Sequence, residues 1–277
     1  MLPILYRDEY IVVIDKPSGL LVHRSMIDKH ETRFALQMTR DQIGQYVYPV
    51  HRLDKPTSGV LVMALSSEIA AKLNQQFTQK TITKNYIALV RGFTLAEGTI
   101  DYALKEVLDK MTDKRAQQDK PPQEAITHYK TLWQVEVPFA VGRYPTARYS
   151  LISLRPETGR KHQLRRHLKH IFHPIVGDTT HGDGKHNTMF RERFSLNRLL
   201  LVAKEMSFEH PVTGELIKLS ASMGEEFEKV LVGLGCSLYC SDTVDHIVEQ
   251  NVEQRVEQRV EQNVAPNQAN LLNNQAN

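Results

Sequence analysis

Extended runs rich in β-branched and aromatic residues recur along this chain with few helices between them. That spacing limits its architecture more than any other property. Residues 2–6 and 10–14 read as two short strands, the second being Tyr-Ile-Val-Val-Ile, a composition that suits a pleated, half-buried surface. Arg7-Asp8-Glu9 makes the turn between them. Residues 32–43 have helical spacing with Gly44 at the end, the residue that commonly stops a helix. A strand follows to about residue 65, and Ser66-Ser67 then cap a helix to about Phe77. Residues 82–90, 125–136 and 147–154 are further strands, 161–172 is a helix, and mixed strand and helix from Ser195 close the body near Phe227. Long strands with few strand–helix–strand alternations predict an α+β fold on a mainly antiparallel sheet.

Two segments stand outside that pattern. Residues 109–124 are dense in charge and carry Pro121-Pro122, which predicts a solvated loop. From Val248 the chain repeats Val-Glu-Gln-Asn or Val-Glu-Gln-Arg four times, then turns rich in Asn and Gln. A four-residue period drifts about 40° per repeat around a helix of about 3.6 residues per turn, so the valines spiral and make no coiled-coil stripe. The expected organisation is a body over residues 1–235 and a disordered low-complexity tail over 236–277. Six acidic residues of that tail oppose only Arg255 and Arg259, so a chain of net charge +3 has a body near +7. A moderately basic body suits a polyanionic partner.

No apolar run approaches the 18 or so residues of a membrane span. Met1-Leu2-Pro3-Ile4-Leu5 meets Arg7-Asp8-Glu9 without a basic start, unlike a signal peptide. The two cysteines, Cys236 and Cys240, make neither a disulfide framework nor a zinc site. A cytoplasmic monomer is expected.

The most informative single run is His51-Arg52-Leu53-Asp54-Lys55-Pro56-Thr57-Ser58-Gly59-Val60. It puts a carboxylate on a turn with an apolar strand directly after it, and charged groups on short loops between packed elements are where catalytic residues concentrate. By spacing alone Asp54 and Ser58 equally suit a turn punctuated by Pro56 and Gly59. The run resembles the active-site segment of the RluA family of RNA pseudouridine synthases. Three further stretches agree in order: Lys84-Asn85-Tyr86-Ile87-Ala88, Thr158-Gly159-Arg160-Lys161-His162-Gln163-Leu164-Arg165, and His173-Pro174-Ile175-Val176-Gly177-Asp178. Leu5-Tyr6-Arg7-Asp8 and Asp15-Lys16-Pro17-Ser18-Gly19 fit as well, so the likeness spans roughly residues 2–222. Asp41-Gln42-Ile43-Gly44-Gln45, Thr127-His128-Tyr129 and Gly142-Arg143-Tyr144-Pro145-Thr146 resemble members that act on tRNA, at uridine 65 of the T-stem.

The resemblance implies the pseudouridine synthase fold, a bent mixed sheet with a central cleft flanked by helices. Many such relatives carry an N-terminal S4 domain, and none is expected here, since the first strand begins at Leu2. The resemblance makes Asp54 the nucleophile, with Tyr86 and Arg165 as its catalytic companions. Pseudouridine formation breaks the N1–C1′ bond, turns the base and rejoins it through C5, with no redox change, so neither cofactor nor metal is expected. A carboxylate can attack C1′, attack C6, or stabilise an oxocarbenium-like sugar and then deprotonate C2′. The chemistry calls for an ionised carboxylate, and Arg165 is its natural cationic partner. Tyr86 would lie against the base or take the C5 proton. Arg52 would fill the space of the extruded nucleotide, because a base in a stem is not reached in place.

A helix over 160–173 would present Arg160, Lys161, Arg165, Arg166 and Lys169 to phosphates. His162, His167, His170 and His173 lack cysteine or carboxylate neighbours at zinc spacing and are read as packing groups or phosphate contacts. Val202 stands where the family usually has histidine, in an apolar stretch expected to wall the base pocket. Ribosomal RNA as target, an inactive RNA-binding module, and a glycoside or nucleoside hydrolase are the competing readings. The last ranks lowest because it needs two carboxylates, and none is seen beside Asp54 in the motifs.

Overall fold

A computed structural model describes residues 1–24, 31–106 and 121–236. The expected tail structure, and the charged loop up to residue 120, lie outside them. The chain divides into two units, Met1–Phe227 and a second beginning at Glu228.

In order, the elements are β1 (Ile4–Arg7), β2 (Ile11–Lys16), α1 (Ala35–Ile43), β3 (Tyr48–Pro49), β4 (Ser58–Ala64), α2 (Ser67–Thr78), β5 (Thr83–Arg91), β6 (Glu97–Asp101), β7 (Ile126–Val137), β8 (Ala147–Pro156), α3 (Gln163–His170), α4 (Gly184–Phe194), β9 (Leu201–Glu209), β10 (Leu216–Ser220) and α5 (Glu225–Gly233). Among the described residues the strands form one sheet of ten, ordered β1-β2-β4-β9-β5-β8-β7-β6, with β10 on β9 and β3 on β4. Every pairing is antiparallel except β4 with β9, so the expected α+β architecture stands. Ser66 caps α2 as its sequence predicts, its side chain accepting from Ile69 N–H, and Gly44 ends α1 in the left-handed conformation.

All seven residues of β4 are buried. Val60, Val62 and Ala64 enter one cluster with Ile11, Val13 and Leu73, while Leu61 and Met63 enter another with Val12, Ile14 and Ala35. Alternating side chains of one strand therefore fill cores on both faces. The β4–β9 contact is short, Ser58 opposite Val202 and Gly59 opposite Ala203, and it joins the two halves of the sheet. Only glycine fits there. Gly59 has φ +114, and a Cβ on it would lie 2.2 Å from the Ala203 carbonyl oxygen. The glycine of the Asp54 motif is thus the point where the sheet closes.

A third cluster sits under β5 and β8, where Ala88, Val90, Ile152 and Leu154 meet Leu164 and Leu168 of α3. Leu164 and Leu168 are four apart and share one helix face; burying each contributes about 1.5–3 kcal/mol. That face docks α3 against the sheet and fixes which way its other side chains point.

Several elements differ from expectation: α1 begins at Ala35 and not at residue 32, and the two-residue β3 had no counterpart in the sequence reading. The helix expected from 161 begins only at Gln163, because His162 is left-handed at φ 56. Arg160 and Lys161 therefore lie on the preceding turn. Helix α4 had no counterpart in the sequence reading, since its apolar residues do not repeat at helical spacing. Strand β6 was missed because Glu-Gly-Thr-Ile-Asp is a poor strand by itself; pairing with β7 holds it.

Candidate active site

The Asp54 turn is braced from behind. Its own backbone closes by Thr57 N–H donating to Asp54 O at 3.0 Å. The stretch Asp15-Lys16-Pro17-Ser18-Gly19 packs against it: Gly19 N–H donates to Lys55 O at 2.9 Å, and Ser18 Oγ to Pro56 O at 2.7 Å. Lys16 is fully buried, and its three N–H donors meet Pro17 O, Leu20 O and Lys55 O. Burial pushes Lys16 down to about 7, against the pull of the Asp54 carboxylate. His51, at the start of the motif, reaches over β4 and accepts from Val62 N–H at 3.0 Å. Burial, with Lys84 nearby, pushes His51 down to about 3, so it is the neutral ring that accepts this bond.

The opposite wall comes from the Thr158–Arg165 motif. Gln163 is buried and latches it. Its Oε1 accepts from Thr158 Oγ1 and Arg160 N–H, and its Nε2 donates to Ile126 O and Thr127 Oγ1 on β7. Arg165, only 4% exposed, points inward. Its Nη1 donates to Asp54 Oδ2 at 3.3 Å. Its Nε and Nη2 form a two-pronged pair with Asp178 at 2.7 and 2.8 Å, the geometry a guanidinium fork favours. Burial lowers the Arg165 pKa, but the two carboxylates more than offset this and the net shift is upward. Asp178 is likewise pushed up by burial and brought below its ordinary value by hydrogen bonds from Arg165, His181 and Thr180. His162 Nε2 lies 4.0 Å from Asp54 Oδ2, and its Nδ1 is 3.0 Å from His181 Nε2. Burial holds His162 below its ordinary value.

Tyr86 comes from β5, where the register with β9 shifts between Asn85 and Ile87. Such irregularities re-aim side chains beside functional sites, and Tyr86 lines the same cleft as Asp54 and Arg165. Burial and then the Asp54 charge raise its pKa, so it is a neutral phenol at physiological pH. The cleft is lined by both polar and apolar side chains and is open to solvent on one side.

The structure thus brings Asp54, Tyr86, Arg165, Arg52 and Arg160 to one cleft. Arg52 and Arg160 are exposed at its edge, and Arg160 Nε also donates to Glu124 O. Lys161, Arg166 and Lys169 are not among the lining residues. Arg165 does not belong to the phosphate-facing array expected of that segment, because docking by Leu164 and Leu168 turns it inward. Of the histidines, His167 is buried on Thr127 Oγ1 and Tyr102 O, His170 stacks on Tyr102, and His173 bonds Arg91 O. Among the described residues no His, Cys, Asp or Glu cluster could hold a metal. Leu201 lines the cleft while Val202 does not; Val202 is buried within the sheet.

Sequence reasoning gave no role to Lys16, Gln163 or Asp178. Asp178 is a second carboxylate within the motifs, and the expectation of none was wrong. It is 1% exposed and saturated by Arg165, so it is not placed across a scissile bond as a hydrolase requires. Buried residue types that almost never go inside unpaired were the available signal.

A mixed sheet with a carboxylate–arginine pair in a cleft beside it defines a class, and sequence comparison agrees. The chain belongs to the RNA pseudouridylate synthase family, whose profile matches residues 10–170. It is 56% identical over 229 residues to tRNA pseudouridine synthase C of Vibrio parahaemolyticus, covering 83% of this chain and 93% of that one. The protein of the same name from Yersinia pestis is 56% identical over 237 residues, 86% of this chain and 92% of that one. Among solved structures, human RNA pseudouridylate synthase domain containing 1 superposes with a TM-score of 0.61 at 26% identity, covering 80% of this chain and 83% of that one.

Proposed function

We propose that this protein isomerises uridine to pseudouridine in tRNA, at uridine 65 of the T-stem, with Asp54 as the nucleophile. The observation that carries the reading is the ion pair between Asp54, at the cleft, and a buried Arg165 itself fixed by Asp178. Transfer RNA as the target is supported by the names of relatives 56% identical to it, and uridine 65 by the resemblance of residues 41–45, 127–129 and 142–146. The enzyme acts in the cytoplasm as a monomer, and its activity resides in residues 1–235. Truncation after Gly235 is expected to leave it active.

The uridine is extruded from its stem into the cleft, and Arg52, at the edge, fills the vacated space. Asp54 attacks the sugar at C1′ or the base at C6, or stabilises the cationic sugar and removes a C2′ proton. In each route the N1–C1′ bond breaks and a C5–C1′ bond forms. The C5 proton leaves and N1 gains one, so the product is an isomer and nothing else is consumed. Arg165 keeps the carboxylate anionic and oriented. It engages Oδ2, and among the described residues none donates a hydrogen bond to Oδ1. Tyr86 lines the same cleft and packs against the base; as a neutral phenol its hydroxyl takes the C5 proton only by passing its own on to a base in the same step. Arg160, Lys161, Arg166 and Lys169 contact phosphates around the site, and binding falls with added salt accordingly.

The test is pseudouridine mapping on tRNA treated with the protein or with Asp54→Asn, reading carbodiimide adducts by reverse transcription. A stop at uridine 65 made by the protein and absent with the variant, which still binds tRNA, is expected. A stop only in ribosomal RNA would overturn the substrate. Equal loss of binding and turnover in Asp54→Asn would make Asp54 structural.

A further inference from the structure

Asp178 is itself held, and the residue that holds it comes from α4. Asn187 Oδ1 accepts from Gly177 N–H at 2.8 Å, and its Nδ2 donates to Asp178 O at 2.9 Å. One carboxamide therefore clamps the peptide groups that flank the Gly177–Asp178 pair. The partners fix which end is which, because an N–H requires the oxygen and a carbonyl requires the amide. No other side chain of this length supplies one acceptor and one donor in that order. The peptide cannot shift to compensate. Gly177 has φ +79, and a Cβ there would sit 2.0 Å from Arg198 O, so the turn is pressed against backbone. Gly182 N–H donates to the same Asp178 carbonyl at 3.1 Å. The Asp178 carboxylate is equally engaged, Oδ1 accepting from Thr180 and His181 N–H at 2.9 Å each.

The clamp is anchored to the strand that carries Tyr86. Asp183 begins α4, its Oδ1 accepting from Lys185 and His186 N–H, while its Oδ2 pairs with Arg91 of β5 at 2.7 Å. Asn187 lies one turn further along, its N–H donating to Asp183 O at 2.9 Å. A continuous series of polar contacts thus runs from β5 through Asp183, Asn187, Asp178 and Arg165 to Asp54.

We propose that Asn187 is a positioning residue for the reaction: it sets where Asp178 holds the Arg165 guanidinium, and through it the Asp54 carboxylate. This rests on the functional reading above. The final contact, 3.3 Å from Arg165 to Asp54, is already at the long end of hydrogen-bond range, so a small shift of Asp178 breaks it. Displacements of about 1 Å can cost on the order of a hundredfold in rate.

The experiment is single-turnover pseudouridine formation on tRNA at saturating enzyme, with tRNA affinity and thermal midpoint measured alongside. Full-length Asn187→Ala, Asn187→Asp, Asp178→Asn and the Asn187→Ala/Asp178→Asn double variant are compared. Asn187→Ala is expected to slow the chemical step about 10- to 100-fold, with tRNA affinity within about twofold of the parent. Asn187→Asp keeps the acceptor for Gly177 N–H but turns a carboxylate oxygen toward the Asp178 carbonyl, so it shows a loss of chemical-step rate at least as large, with the thermal midpoint reporting whether the fold is kept. The double variant is no slower than the slower single one, because both act through Asp178. Losses that multiply in the double variant, or a defect confined to affinity, overturn the assignment. So do variants that match the parent. A parent protein inactive on every RNA refutes the functional reading, and this inference with it; an active parent with unaffected Asn187 variants refutes this inference alone.

Discussion

Replacing Arg165 by lysine keeps the charge and tests the geometry. Arg165 makes three charge-assisted bonds, two to Asp178 and one to Asp54, at a position 4% exposed. A lysine ammonium is a point donor on a single stem and cannot span two carboxylates as the planar fork does. It keeps about one of the three bonds. Each lost bond to a charged group is worth about 1.5–3 kcal/mol. The retained cation still neutralises the buried Asp178, so the loss stays below the roughly 3–5 kcal/mol of removing a buried partner outright. The expected destabilisation is therefore about 3 kcal/mol. At roughly 2–4 °C per kcal/mol for a body of this size, the thermal midpoint drops by about 6–12 °C. Turnover falls about a hundredfold or more, because Asp54 loses its fixed partner, while tRNA binding, made at the surface, is nearly unchanged. Calorimetry and single-turnover pseudouridine formation measure the two quantities on one preparation. An Arg165→Lys protein that melts within about 2 °C of the parent and keeps its rate would refute the claim that the fork organises the site.

Three other expectations use different parts of the molecule. Gly59→Ala combines a strained φ of +114 with a 2.2 Å clash against Ala203 O, so it costs about 2–5 kcal/mol and lowers soluble yield; a melt unchanged from the parent would show that the β4–β9 contact gives way. Tyr86→Phe keeps the ring and removes the hydroxyl, and is expected to slow the chemical step about a hundredfold at unchanged tRNA affinity; retained rate would leave Tyr86 as packing only. The Asp178 carboxyl is held below its ordinary 3.8, so its contribution to stability is full above the unfolded value near 3.9 and is lost as pH falls through the folded one. The stability gap between the parent and Asp178→Asn, measured by denaturant titration, is therefore constant from pH 8 to 5 and shrinks below about pH 4; a gap that closes by pH 6 would contradict the pairing with Arg165.

Much of this was readable along the chain because it is local. Alternation and β-branching located β2, β4, β5, β7 and β8, and capping chemistry located α2 to within a residue or two and the end of α1, whose start lies at Ala35 and not at residue 32. The Asp54 turn, its glycine and the strand after it are adjacent in sequence, so their likeness to a known active-site segment could be seen there. What was misjudged is non-local. Arg165 sits in a run of basic residues that reads as one solvated face; Leu164 and Leu168, by docking on the sheet, decide that it alone points inward. Helix α4 carries too little apolar periodicity to announce itself, and its first turn is held by Arg91, 92 residues earlier.

By itself, the sequence determined most of the elements, the reactive turn and the kind of chemistry its side chains can support, because propensity, capping and turn geometry act over a few residues. The tertiary structure alone decided the strand order, the parallel β4–β9 contact that requires Gly59, and the series of polar contacts that runs from Asn187 through Asp178 and Arg165 to Asp54. Those depend on which distant surfaces bury each other. A buried charge finds its partner wherever the packing of apolar faces brings one within reach, and no spacing along the chain records that outcome.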